Sequence, residues 1–138
     1  MHGILAQAPF DATAGHLEDL AAVEARVLGL SDGDAVAATR VVARVLSHDI
    51  ISRAKAAEAR GQCRRETAVT WSVTDGQLVE GIVDLAFEEP EGWVVVDYKS
   101  DRVLAVEGEE RYRRQIALYA SAISRATGRP ASGVLVRI

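Results

Sequence analysis

The chain has 138 residues, of which 49% are hydrophobic and 26% are charged, and its formal net charge is −4. This length and this composition are typical of one globular domain with a hydrophobic core. The negative net charge does not support free-standing nucleic-acid binding, because contacts to phosphates need a basic surface. The single cysteine, Cys63, excludes a disulfide framework, and without a signal peptide or an apolar run of ~20 residues we expect a cytoplasmic protein outside the membrane.

The first part of the sequence, up to Gly61, has the pattern of helices. Apolar residues recur at helical spacing in residues 16–30 and again in residues 36–46. Ser31 opens a polar break between these segments and predicts an N-cap for the second helix. A further cap around His48 precedes a short predicted helix, and residues 1–9 are expected to form the end of another helix.

From Cys63 onward the pattern is that of strands. Alternating residues predict a first strand, and a hairpin turn at Thr74-Asp75-Gly76-Gln77 leads to a second. The remaining predicted elements are a third strand, a loop, a long helix and a last strand, at residues 93–98, 100–108, 109–127 and 132–138. Three hairpin-connected strands, a crossover helix and a returning strand predict an α/β fold with a mixed sheet.

The candidate site lies on the second and third predicted strands. Alternation along the third strand places Asp97 and Lys99 on one face, and hairpin pairing can bring Asp84 beside them. Two carboxylates suit a hard divalent cation, which prefers oxygen ligands, and a neighbouring lysine can polarise a water or offset charge on a phosphate. This pattern indicates metal-dependent phosphodiester hydrolysis, and the alternative is an exposed hairpin whose three charges form a surface ion pair.

Three motifs in chain order give the sequence a family resemblance. Gly81-x-x-Asp84-Leu85, Asp97-Tyr98-Lys99 and Tyr112-x-x-Gln115-x-x-x-Tyr119 resemble the nuclease domain of bacterial helicase–nucleases, which are exonuclease V beta-subunit (RecB-like) and AddA-like enzymes of the PD-(D/E)xK superfamily. The resemblance implies an α/β, restriction-endonuclease-like core in which helices flank a mixed β-sheet, with a helical N-terminal half.

The same resemblance bears on domain organisation. It covers most of the chain and implies one nuclease domain over residues 1–138, with a helical part at 1–61 and a catalytic part at 62–138. Related chains carry a helicase motor as well, whereas this sequence has no Gly-x-x-x-x-Gly-Lys-Ser/Thr loop. We therefore expect a fragment, a detached nuclease domain or a short stand-alone relative.

The resemblance gives roles to the residues that match its motifs. Asp84 and Asp97 resemble the two metal-binding carboxylates of the family, and Lys99 resembles the catalytic lysine. Gln115 and Tyr119 match a pair that lies one helical turn apart and supports the site.

Further candidates complete the expected site. The resemblance implies His2, on an early helix, and the carbonyl of Tyr98 as additional metal ligands, and Glu66 is a less direct candidate. A basic cluster near the site is a candidate for holding DNA phosphates, with a solvated helix face as its alternative. The cluster consists of Arg102, Arg111, Arg113 and Arg114.

The resemblance implies an exonuclease V-like, Mg²⁺-dependent deoxyribonuclease, with Mn²⁺ as an alternative metal. It implies DNA as substrate, and as partners it implies a helicase motor together with a partner subunit. It also implies a role in processing double-strand-break ends for recombinational repair. Exonuclease and endonuclease action both stay open. The alternatives are a non-catalytic module with the same fold, which binds DNA ends or a partner subunit, and a different metal hydrolase.

Overall fold

The computed structural model describes residues 1–138, and the chain divides into two compact units, Met1–Ala56 and Ala57–Ile138. The first unit is helical, as predicted, and its core is apolar, with Leu17, Ala21 and Val42 among the buried side chains. The helices of the N-terminal half are α1 His2–Gln7, α2 Ala14–Leu28, α3 Asp32–Leu46 and α4 Asp49–Glu58. None of the chain's helices has both the length and the apolar character needed to cross a bilayer.

Polar caps set where these helices begin. The hydroxyl of Ser31 accepts a hydrogen bond from the backbone of Asp34, and the Asp34 carboxylate accepts one from the backbone of Ser31, which is a capping box at the start of α3. At α4, the backbone N–H of Ile50 donates to Nδ1 of His48. The predicted caps at Ser31 and His48 are thus confirmed.

The second unit contains a four-stranded sheet in the order β1-β2-β3-β4. The β1/β2 and β2/β3 pairs are antiparallel and β3/β4 is parallel, so the predicted mixed sheet is confirmed. The strands are β1 Cys63–Ser72, β2 Leu78–Glu89, β3 Gly92–Lys99 and β4 Ala131–Arg137, and the helices are α5 Asp101–Glu107 and α6 Glu109–Thr127.

The long helix α6 closes the core of this unit. Its buried side chains Ile116, Ala120 and Ile123 form one apolar cluster with Val83 of β2 and Val95 of β3. The helix ends at Gly128, which adopts the left-handed conformation with φ of 70°. The chain then returns to the sheet as β4, beside the strand that carries Asp97 and Lys99.

The loop predicted for residues 100–108 is wrong, because Asp101–Glu107 forms helix α5. The hydroxyl of Ser100 accepts a hydrogen bond from the backbone of Val103 and so caps the helix, and Asp101 lies in the first turn. Leu104 is its buried residue. A helix of two turns with one buried side chain leaves too short an apolar pattern for periodicity to reveal it.

The sheet divides beyond Leu85, a point that we call the fork. β2 pairs with β3 from Leu85, opposite Val96, to the hairpin turn. On the other side of the fork, β2 continues to Leu78 and pairs only with β1, while Asp97 to Lys99 of β3 pair only with β4. Two pairs of strands therefore separate here.

The backbone of β1 departs from the strand conformation at the fork. Glu66 has a φ of 46°, which is unusual for a residue other than glycine. The neighbouring pairs, Arg65 with Leu85 and Thr67 with Val83, show that Glu66 lies opposite Asp84. In a regular strand Val83 and Leu85 would face the same side. Here Val83 and Ala86 both belong to the apolar cluster that packs against α6, so the alternation of side chains along β2 shifts by one residue at the fork.

Candidate active site

Two carboxyl groups occupy the gap that the fork opens. Oδ2 of Asp84 accepts a hydrogen bond of 2.9 Å from the backbone N–H of Tyr98. The Asp84 side chain thus supplies the hydrogen-bond acceptor that the backbone of β2 no longer provides to β3 beyond the fork. Asp97, on the facing strand, is 4% exposed and is the one buried side chain that is polar or charged. The alternative of an exposed surface ion pair therefore does not describe this site.

The environment of Asp97 makes its charge unfavourable. Burial, followed by the contact with the carboxyl group of Asp84, raises the pKa of Asp97 to about 6, against a lowering effect of Lys99. Oδ2 of Asp97 is buried and accepts no hydrogen bond, although Nζ of Lys99 lies 3.3 Å away. A buried carboxylate oxygen left without a hydrogen bond destabilises the protein unless a positive charge compensates it.

The donor set at the fork fits a divalent metal ion. The carboxyl groups of Asp84 and Asp97 supply the oxygen ligands that a hard cation prefers, and Oδ2 of Asp97, which accepts no hydrogen bond, has a lone pair to offer a metal ion. No group of three or more His, Cys, Asp or Glu side chains converges in the structure. Two protein carboxylates with water in the other positions are a usual arrangement for Mg²⁺, which keeps several of its waters.

Lys99 lies between the carboxylate and an aromatic ring. Its Nζ is 3.3 Å from Oδ2 of Asp97 and 4.8 Å from the centroid of the Tyr112 ring. The Lys99 side chain is 21% exposed, so the ammonium group is held at the fork and still reaches solvent. The structure thus brings together three of the predicted site residues, Asp84, Asp97 and Lys99.

Tyr119 of α6 reaches the same region. Burial first, and then the negative charges of Asp97 and Asp84, raise the pKa of the Tyr119 hydroxyl, which places this hydroxyl in the field of both carboxylates. Its ring meets Trp71 edge-on, with centroids 5.7 Å apart and planes at 68°. Gln115, one turn earlier on α6, is half-buried.

Gly81 provides the space for the Tyr119 ring. A Cβ at position 81 would lie 2.5 Å from Cε1 of Tyr119, so only glycine lets the ring lie this close to β2. The sequence analysis used Gly81 only as part of the family motif and gave no role to Trp71. The position of Gly81 inside a predicted strand could have indicated this contact, because a glycine within a strand often marks a place where another group packs close to the backbone.

Three predicted ligands lie in different settings. His2 is the first residue of α1, in the first unit. Glu66 is exposed on β1, opposite Asp84, and Tyr98 is buried with its N–H donated to Asp84. Metal binding by His2, by Glu66 and by the carbonyl of Tyr98 stays a prediction.

The predicted basic cluster is partly neutralised. Arg111 pairs with Glu107 at 3.5 Å, and Arg113 pairs with Glu109 at 2.6 Å, both one turn apart on the helix surface. The other two arginines of the cluster are exposed and stand outside these ion pairs. This surface is therefore less basic than its arginine content suggests, and Arg102 and Arg114 are its better candidates for a phosphate.

The family of this fold follows from comparison with known proteins. Over all of residues 1–138 the chain matches the model of the PD-(D/E)XK nuclease superfamily. The chain belongs to this superfamily. The α/β architecture of a mixed sheet flanked by helices agrees with membership of the PD-(D/E)XK superfamily, and the predicted fold class is confirmed.

Similar proteins come from larger enzymes, each named as the A subunit of an ATP-dependent helicase/nuclease. The one from Alkaliphilus oremlandii is 43% identical over 60 residues, which are 41% of this chain and 5% of that protein. The one from Acetivibrio thermocellus is 49% identical over 55 residues, 38% of this chain and 4% of that protein. The one from Desulforudis audaxviator is 52% identical over 50 residues, 33% of this chain and 4% of that protein. The matches thus span about 4 to 5% of the length of these relatives.

Proposed function

We propose that this chain is a metal-dependent deoxyribonuclease domain that hydrolyses DNA phosphodiester bonds at the fork. The observation that carries the proposal is the buried Oδ2 of Asp97, which accepts no hydrogen bond and lies 3.3 Å from the ammonium group of Lys99, next to the carboxyl group of Asp84. Membership of a nuclease superfamily supports the reaction class, and the names of the helicase/nuclease relatives support DNA as the substrate.

Asp84 and Asp97 would hold Mg²⁺ or Mn²⁺, with the carbonyl of Tyr98 and His2 as further proposed ligands. When bound, such an ion lowers the pKa of a coordinated water and offsets negative charge on the phosphate. The protein orients both carboxyl groups before a metal ion binds. The backbone N–H of Tyr98 fixes the Asp84 carboxylate, and the ladder between β3 and β4 fixes Asp97. Both carboxyl groups are therefore oriented without a rearrangement of the sheet.

Lys99 would act on the phosphate and the attacking water. Its ammonium group is a hydrogen-bond donor at the edge of the site, able to stabilise the charge that builds up on a phosphate oxygen in the transition state. Attack by water on phosphorus breaks the bond to the 3′ oxygen, and leaves a 5′-phosphate and a 3′-hydroxyl. The hydroxyl of Tyr119, with its raised pKa, stays protonated and can donate to the substrate, with Gln115 beside it.

The DNA would be delivered by other parts of a helicase–nuclease. The net charge of −4 and the pairing of Arg111 and Arg113 with glutamates leave few cations for an independent DNA-binding surface. We propose that a helicase motor and a partner subunit bring DNA to the fork, that Arg102 and Arg114 contact its backbone, and that the cytoplasmic complex acts in double-strand-break processing and recombinational repair.

The proposal is tested by cleavage of linear single- and double-stranded DNA with Mg²⁺ or Mn²⁺. We compare the wild type with Asp97→Ala and with a control, Asp101→Ala, which removes a carboxylate that is 78% exposed. The expected result is metal-dependent cutting that Asp97→Ala abolishes and Asp101→Ala keeps. Calorimetry should show that Asp97→Ala also loses metal binding. Equal cutting by wild type and Asp97→Ala would contradict the proposed centre, and DNA binding by a wild type that never cuts would indicate a non-catalytic module.

A further inference from the structure

The ammonium group of Lys99 has two neighbours at the fork. Oδ2 of Asp97 lies 3.3 Å from Nζ, and the face of the Tyr112 ring lies 4.8 Å from it, measured to the centroid. This second distance is within the ~6 Å over which a cation and an aromatic face attract each other. A lysine side chain has a flexible four-carbon stem, so one contact with a carboxylate fixes the distance of the ammonium group but not its direction. The ring supplies the second contact.

The position of the Tyr112 side chain is fixed by burial of the residue and by a hydrogen bond of its hydroxyl group. Its ring is 9% exposed in the first turns of α6, and its hydroxyl donates a hydrogen bond to the Glu107 carboxylate, at the end of α5. Gly108 joins the two helices with a φ of 90°, a conformation that favours glycine. The corner between α5 and α6 thus holds the ring against Lys99.

We propose that Tyr112 is a positioning residue for Lys99, and that its ring holds the ammonium group by a cation–π contact in the orientation needed at the phosphate. The inference rests on the proposed nuclease function, because it assigns Tyr112 a part in the same reaction. Tyr112 touches Lys99 and acts through it. A plain packing role for the ring makes different predictions, since packing depends on ring size and a cation–π contact depends on the negative charge of the ring face.

The kinetic test varies the ring at position 112. Tyr112→Phe keeps the aromatic face and should keep kcat within about 3-fold, whereas Tyr112→Leu should lower kcat about 10-fold with KM for DNA nearly unchanged. Phenylalanines carrying one, two and five fluorines at position 112 should lower kcat stepwise, because fluorine withdraws charge from the ring face while size changes little. Melting temperature and Mn²⁺ affinity should stay at the values of Tyr112→Phe in this series, since all of these rings lack the hydroxyl that donates to Glu107.

A second measurement tests the geometry without any cleavage. Lys99 and the exposed Lys55 are the two lysines of the chain, so ¹³C-lysine labelling gives two sets of side-chain NMR signals, and Lys99→Arg assigns them. The ring current of Tyr112 should shift the Lys99 Cε protons upfield in the wild type and in Tyr112→Phe. The shift should vanish in Tyr112→Leu, with Lys55 as an unshifted reference.

The two readouts separate the two claims. A ring-current shift in a protein that neither binds Mn²⁺ nor cuts DNA refutes the nuclease function and leaves the contact between Tyr112 and Lys99 in place. Cutting without a ring-current shift, or a kcat that ignores fluorination, refutes the positioning role. Equal losses in Tyr112→Phe and Tyr112→Leu would also refute it, because the hydroxyl bond to Glu107 would then be what matters.

Discussion

Gly81→Ala gives the most direct test of the packing at the fork. A methyl group on Gly81 would lie 2.5 Å from Cε1, 2.8 Å from Oη and 2.9 Å from Cζ of Tyr119, well inside the ~3.5–4.0 Å of a normal carbon contact. The ring has little room to move away, because Tyr119 is 7% exposed and the ring of Trp71 meets it with centroids 5.7 Å apart.

The expected change in stability follows from two opposing effects. Forcing a methyl group into packed space costs about 1–3 kcal/mol, while replacing a strand glycine recovers up to about 1 kcal/mol of backbone entropy. We therefore expect Gly81→Ala to lower the free energy of unfolding by roughly 1–2 kcal/mol. In a Tyr119→Ala background the ring is gone, and the same substitution should be neutral or stabilising.

Urea unfolding of the four proteins of this double-mutant cycle measures the coupling. Agreement requires an interaction energy of at least about 1 kcal/mol between positions 81 and 119. Gly15→Ala is the control, since a Cβ at this helical glycine meets nothing within 4 Å and should stabilise the protein by up to about 1 kcal/mol. Equal destabilisation by Gly81→Ala in both backgrounds would refute the idea that Gly81 exists to seat the Tyr119 ring.

Three further predictions concern charge and strain. Folding raises the pKa of Asp97 from 3.8 to about 6. Between these two pH values the metal-free native state binds more protons than the unfolded chain, so the free energy of unfolding falls as pH rises. Asp97→Asn removes the buried charge and should therefore raise the melting temperature in EDTA at pH 8 but not at pH 4. Glu66→Gly relieves about 1–2 kcal/mol of left-handed backbone strain, since φ is 46° there, and costs up to about 1 kcal/mol of backbone entropy. In urea it should therefore be neutral or stabilise by up to about 1 kcal/mol, and clear destabilisation would refute the strain at Glu66. Arg129 donates to the Glu88 carboxylate and to the carbonyl of Pro90, so Arg129→Ala should cost about 1 kcal/mol in urea, and Arg129→Lys should not restore it because lysine lacks the forked donor.

Local patterns predicted much of the architecture. The strand at 93–98 has a strong apolar pattern, and period-2 alternation correctly placed Asp97 and Lys99 where they meet. The N-cap at Ser31 was also predicted correctly, because capping depends on residues within one helical turn of each other. In each of these cases the information lies within a few positions of chain, which is the range over which periodicity and capping operate.

Contacts between distant segments were not predictable in the same way. Gly81 and Tyr119 are on different elements, and their close approach depends on how α6 packs on the sheet. The phase change at Glu66 and Asp84 leaves the register of β1 and β2 unbroken on both sides, so counting alternation along either strand does not reveal it. The pairing of Arg111 was missed for a local reason, since its partner Glu107 lies in the segment predicted as a loop, whereas Glu109 and Arg113 lie one turn apart within the predicted helix.

The fork also has a consequence for motion. Beyond Leu85 the pair β1 and β2 lacks β3 as a neighbour. Besides its own ladder, this arm is held by packing against α6, through residues such as Val69 and Val83. Amide hydrogens of this arm should exchange with solvent at a lower opening free energy than those of the β3–β4 side. Asp84 lies where the arm begins, and Asp97 and Lys99 lie on the side held by β4. Hinge-like opening of the arm would then change the separation of the two carboxylates while the lysine keeps its place.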